Sequence, residues 1–174
     1  MGAKNDLALF LALESVNECG NLSYDSRVQG QFWLLKLMDK KAVTLETAKK
    51  LAAASEAEAT KNSWKMVIAI VDDGGHLLYL ERMDETQAGS IEIAIQKAKT
   101  AVAFKRPSKV FEDAVASGRN AILGLTGAMP IEGGIPLMVD GKMIGAIGAS
   151  GGTAPQDGQV AKAGVDALAP MLKK

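Results

Sequence analysis

The sequence predicts an α/β fold of the α+β kind, an antiparallel sheet covered by helices. Two pairs of apolar runs, 66–71 with 76–83 and 135–139 with 142–149, are each joined by a turn too short for a crossover. Segments with helical spacing stand before, between and after those pairs. Hairpins alternating with helices favour an antiparallel sheet over a doubly wound parallel one.

Taken in order, residues 1–41 read as an N-terminal extension and 42–174 as the domain. The extension mixes turn formers (Asn21, Ser23, Asp25, Ser26, Gly30) with the apolar patch Phe32 to Leu35. Either Met38 is the natural start, or the first residues form an arm that packs on a partner subunit through Trp33. From Thr44 to about Lys61 an Ala-rich segment places Leu45, Ala48, Ala52, Ser55 and Ala59 on one helical face, with Thr44 as N-cap. Met66 to Val71 is apolar without a break, so the first strand is expected to be buried on both faces. Asp72, Asp73, Gly74 and Gly75 then turn the chain into the second run.

Ser90 to Phe104 has helical spacing and ends near Lys105, two residues before Pro107. A short helix is expected from Ser108 to about Ala116, followed by a glycine-rich loop, Gly118 to Gly134. Asp140-Gly141 is a strong signal for a two-residue hairpin turn. Thr153, Pro155 and Gln156 begin a last helix with a capping box, which Pro170 is expected to stop.

At 174 residues the chain can bury a core without disulfides or structural metal. Its 20 Lys and Arg balance 20 Asp and Glu, so no net field draws it to nucleic acid or an anionic membrane. One cysteine and one histidine supply no zinc set, and the lack of a cysteine framework fits the cytoplasm, with export left open. The apolar run Leu7 to Leu13 is far below spanning length.

Five ordered blocks then carry a resemblance: Ile70 to His76, Glu81 to Asp84, Ala94 to Ala101, Gly133 to Pro136, and Gly141 to Gly151 followed by Asp157. Over roughly Thr44 to Leu168 the sequence resembles the GlcG/HbpS family. That resemblance implies a profilin-like sandwich with a five-stranded antiparallel sheet, assembled as a homo-oligomer (tetramer, hexamer or octamer). It implies haem as ligand and cofactor, with haem degradation or iron handling in some members and glycolate utilisation in others. The family also includes the C-terminal domain of PduO-type corrinoid adenosyltransferases, but the nucleotide-binding half of that enzyme has no counterpart here. No catalytic motif stands apart from the resemblance, so enzyme activity is left open.

The candidate site residues follow. Ile93, Lys97, Thr100 and Phe104 form a stripe on the second helix, opposite its clearly apolar face. Lys97 suits a carboxylate and Thr100 suits a ligand or haem iron, by analogy with one family branch; equally, Lys97 can lay its stem on apolar surface and Thr100 can bond its own helix. His76, the sole imidazole, is a candidate iron ligand or an ordinary exposed turn residue. Met129 is another possible iron donor. Arg82 and Asp84 either hold a ligand carboxylate or pair to fix a turn. Glu132, Gly133 and Gly134 either admit a ligand close to the backbone or only supply unusual φ. Ser150 to Thr153 reads as a helix cap more than an anion site, because Asp157 would repel the anion. The alternative ligand is a small 2-hydroxy or 2-oxo acid held by Arg82 or Lys97.

Overall fold

The computed structural model describes residues 40–172. The expected extension, with its Met38 start or Trp33 arm, lies outside the described residues except for Lys40 and Lys41. Those two lysines pair with Asp73 and Asp140, one in each hairpin turn. No helix among the described residues is long and apolar enough to cross a membrane.

The elements run α1 (Leu45–Lys61), β1 (Val67–Asp72), β2 (Leu77–Arg82), α2 (Ser90–Phe104), α3 (Lys109–Ala116), a 3-10 turn (Asn120–Gly124), β3 (Gly134–Val139), β4 (Lys142–Ser150), α4 (Ala154–Asp166) and α5 (Leu168–Leu172). The strands form one antiparallel sheet in the order β2-β1-β4-β3. The α/β class and the antiparallel sheet are as predicted, but the described residues contain four strands, where the resemblance implies five.

Central β1 is buried along almost its whole length, because helices cover both of its faces. Ile68 and Ile70 point into a core shared with Leu51 and Ala52 of α1 and Val160 and Ala161 of α4. On the opposite face Val67, Ala69 and Val71 meet Ala94, Ala98 and Ala101 of α2. The second face of the sheet is therefore closed by small residues, which lets α2 lie very close to the strands.

Local chemistry explains the element ends. Asp140 and Gly141 have φ of 50° and 72°, the pair of left-handed residues that a type I′ hairpin needs. Thr44 caps α1 by accepting from Thr47 N–H at 3.2 Å, and the Gln156 side chain accepts from Thr153 N–H at 2.9 Å at the start of α4. Two expectations are corrected. Leu45, placed on the core face of α1, is 48% exposed, because the packed stripe begins one turn later and includes Leu51. Pro170 does not stop α4, which ends at Asp166; it sits in the first turn of α5, where its missing N–H costs nothing.

Candidate functional site

Lys97 of α2 is 1% exposed and spans the layer between helix and sheet. Its ammonium donates to Asp157 Oδ2 at 2.6 Å and to Ala149 O at 3.2 Å. Asp157, in the first turn of α4, uses its other oxygen to accept from Gly152 N–H at 3.0 Å. The stretch from Ser150 to Thr153 thus already holds an anion, the protein's own carboxylate. Burial pushes the Asp157 carboxyl above the usual range, while Lys97 and the N–H groups of Gly152 and Gly151 pull it back down.

Thr100, one turn further along α2, is also fully buried. Its hydroxyl lies 2.8 Å from Gln96 O and 3.1 Å from Gly127 O, and it accepts from Met129 N–H at 2.8 Å. Two further side chains hold the same irregular segment. Ser108 Oγ donates to Ile131 O at 2.6 Å and accepts from Gly134 N–H at 2.9 Å, and Glu112 accepts from Glu132 N–H at 2.5 Å. Residues 127–132 lie outside the sheet, and these side chains take up backbone groups of Gly127, Met129, Ile131 and Glu132 there. Thr100→Val, which keeps the shape and deletes the hydroxyl, is expected to cost about 1–3 kcal/mol by leaving Met129 N–H unpaired. Amide exchange at Met129 should accelerate in that variant; unchanged exchange and stability would show that the loop holds itself.

The pinned segment builds the rim of an open depression of about 400 Å³, between the start of β3, the start of α3 and the first turns of α4. Glu132, Gly133, Gly134 and Gly158 line it, with Lys109 and Lys162 beside them. Gly133 has φ +126°, and a Cβ there would lie 2.6 Å from Ala149 O and 3.0 Å from the Lys97 ammonium. Only glycine fits above the buried lysine. Gly158 leaves room for the Glu132 carboxylate, whose oxygen would be 2.3 Å from a Cβ at 158. Lys109 lies 2.9 Å from Asp113 and 3.5 Å from Glu132, and these carboxylates raise its pKa. Lys162 pairs with Asp166 at 2.6 Å.

The structure therefore brings together Lys97, Glu132, Gly133 and Gly134, with Thr100 one helical turn away. Lys97 and Thr100 offer their polar atoms to internal partners, not to the depression. Arg82 and Asp84, at the end of β2, are exposed, and no hydrogen bond or ion pair joins them to each other. His76 stands in the β1–β2 turn, its side chain 82% exposed, with Nδ1 3.2 Å from Asp72 Oδ2. Asp72 Oδ1 accepts from Gly74 N–H at 2.9 Å and His76 N–H at 2.8 Å, and these donors hold its carboxyl below the usual range. Sequence reasoning missed Asp157 as the partner of Lys97, and Ser108 and Glu112 as supports of the loop. A lysine on a helix with two buried faces is a signal that a counter-ion exists, but not where.

A sequence model of the family described as Haem degrading protein HbpS-like matches residues 43–166. The protein GlcG of Escherichia coli (strain K12) is 44% identical over 111 residues, which cover 64% of this chain and 83% of GlcG. A crystal structure of a double mutant of Streptomyces reticuli HbpS is similar at 30% identity and a TM-score of 0.69, over 76% of this chain and 90% of that one. A crystal structure of a PduOC:haem complex is similar at 30% identity and a TM-score of 0.66, over 73% of this chain and 95% of that one.

Proposed function

We infer that this chain, which belongs to the HbpS-like family, binds haem. The observation that carries the inference is its likeness to a protein solved with haem bound. The residues present fit the group in one respect that matters: a porphyrin brings four equatorial nitrogens and asks the protein for an axial donor. His76 offers an exposed imidazole, whereas the Thr100 hydroxyl is engaged by three backbone groups. Haem degradation and assembly into a tetramer, hexamer or octamer are the finer parts of the proposal, and the family resemblance supports them.

The open depression favours a second reading, a small 2-hydroxy or 2-oxo acid of the glycolate type. Lys109 and Lys162 stand at its rim, each already paired with a carboxylate, so an acid ligand would displace Asp113 and Glu132 from the first or Asp166 from the second. One experiment orders the two readings. Hemin titrated into the protein is expected to give a saturable shift of the Soret band and to raise the melting temperature, because a ligand that binds only the folded state stabilises it. Glycolate and glyoxylate are expected to shift melting less. A spectrum of free hemin throughout, with a clear glyoxylate shift, would reverse the order.

A further inference from the structure

We propose that the apolar groove between β3, α4 and α5 is the face on which a second copy of this chain sits, across a two-fold axis. This rests on the homo-oligomer put forward above and adds the surface that makes it.

The groove holds about 340 Å³ and is lined by Pro136 and Met138 of β3, Val165 and Asp166 of α4, and Leu168 and Leu172 of α5. Of these only Asp166 is charged. Leu168 belongs to the core beneath, but the apolar rim does not: Met138 is 48% exposed and Leu172 50%, and Met171 stands exposed on the same short helix as Leu172. Large apolar side chains left half in water around a concavity gain about 25 cal/mol for each Å² that a partner covers, and such patches mark association sites.

Two features choose the partner. β3 is an edge strand, yet it is a poor template for another strand. Gly134 O already accepts from Ser108 N–H at 2.9 Å, Pro136 carries no N–H, and a bulge breaks the register between Leu137 and Met138. Addition of an extended peptide is thereby disfavoured, which leaves a folded surface. Beside the groove, Lys162 and Asp166 stand one turn apart on α4, both more than half exposed and 2.6 Å from each other. A rim with one charge of each sign favours neither a partner surface of single sign nor an anionic membrane. It does match itself: two antiparallel copies of α4 set Lys162 of one chain against the partner's Asp166, and the reverse. Met138 and Leu172 flank the concavity that the same side chains of a second copy would fill, which suits an isologous contact.

Sedimentation velocity over a dilution series tests the face. The native chain is expected to self-associate. Met138→Glu and Leu172→Glu, which put a charge at exposed positions of the groove, should each weaken that association about tenfold or more while the circular dichroism stays native. Lys162→Glu and Asp166→Lys, each alone, are expected to weaken it as well. An equimolar mixture of those two chains should regain the native assembly, since one then carries two anions where the other carries two cations. Mixing cannot repair a pair lost within one chain, so recovery reads the contact between copies. A mixture that stays dissociated would overturn the two-fold pairing. Groove variants that assemble as the native chain does, with Leu123→Glu at the exposed 3-10 turn dispersing the oligomer in their place, would overturn the face and leave the oligomer standing. A native chain that is monomeric at every concentration would overturn both, and flotation of that monomer with phosphatidylcholine vesicles would give the groove a lipid partner instead.

Discussion

Lys97→Met is expected to destabilise the protein by about 3–5 kcal/mol, the range for breaking one side of a buried ion pair. The two side chains are only 1% and 4% exposed, so the Asp157 carboxylate cannot turn to water when its partner is gone. It is left with the N–H groups of Gly152 and Gly151, and its pKa, already raised by burial, must rise further. Ala149 O loses a donor at the same time. Lys97→Met combined with Asp157→Asn should be more stable than Lys97→Met alone, because Asn removes the stranded charge and keeps an acceptor for Gly152. Denaturant midpoints at constant slope measure both effects. A loss under about 1 kcal/mol in the single variant would mean that water reaches the pair. The same protein separates two roles for Lys97. If it folds and takes up hemin as the native chain does, the lysine is a tie between α2, β4 and α4; if it folds but binds hemin far less, the ammonium also acts on the ligand.

How much of this was legible beforehand depended on the range of the interaction. Asp140-Gly141, the Thr44 cap and the Gln156 capping box are set by neighbours in sequence, and the element ends follow from them. The burial of β1 on both faces was legible from its unbroken apolar run. The stripe on α2 was legible as a second buried face, but its meaning was not: Lys97 meets Asp157 sixty positions later, and no periodicity connects a helix interior to the first turn of another helix. The irregular segment before β3 was legible as a loop through its glycines, whereas its anchors Thr100, Ser108 and Glu112 lie 20 or more residues upstream of the groups they hold. Glu132, Gly133 and Gly134 line one depression together because they are adjacent. Asp72 and His76 lie four residues apart within one turn, so their pairing is accessible from spacing, but neither sequence reading of His76, iron ligand or exposed turn residue, includes it.

Gly148→Ala is expected to cost more than about 3 kcal/mol, beyond the usual cost of overpacking a core. Gly148 of β4 pairs with Gly134 of β3, and both lie under α2. A Cβ at 148 would stand 2.1 Å from Ala94 O and 2.8 Å from Ala98 N; a Cβ at 134 would stand 2.1 Å from Lys97 O. The obstructing atoms are helix backbone, which has no rotamer to change, so relief requires α2 to lift off the sheet. Lifting it uncovers Ala94, Ala98 and Ala101 against Val67, Ala69 and Val71, and stretches the Lys97 contacts with Asp157 and Ala149. For a domain of this size about 3 kcal/mol corresponds to a fall of roughly 6–12 °C in melting temperature. Gly124→Ala provides the contrast: no atom lies within 4 Å of its Cβ position, so its melting point should stay near the native value. Equal melting for the two variants would mean that α2 does not rest on the glycine pair, and the depression beside Gly134 would lose the wall that defines it.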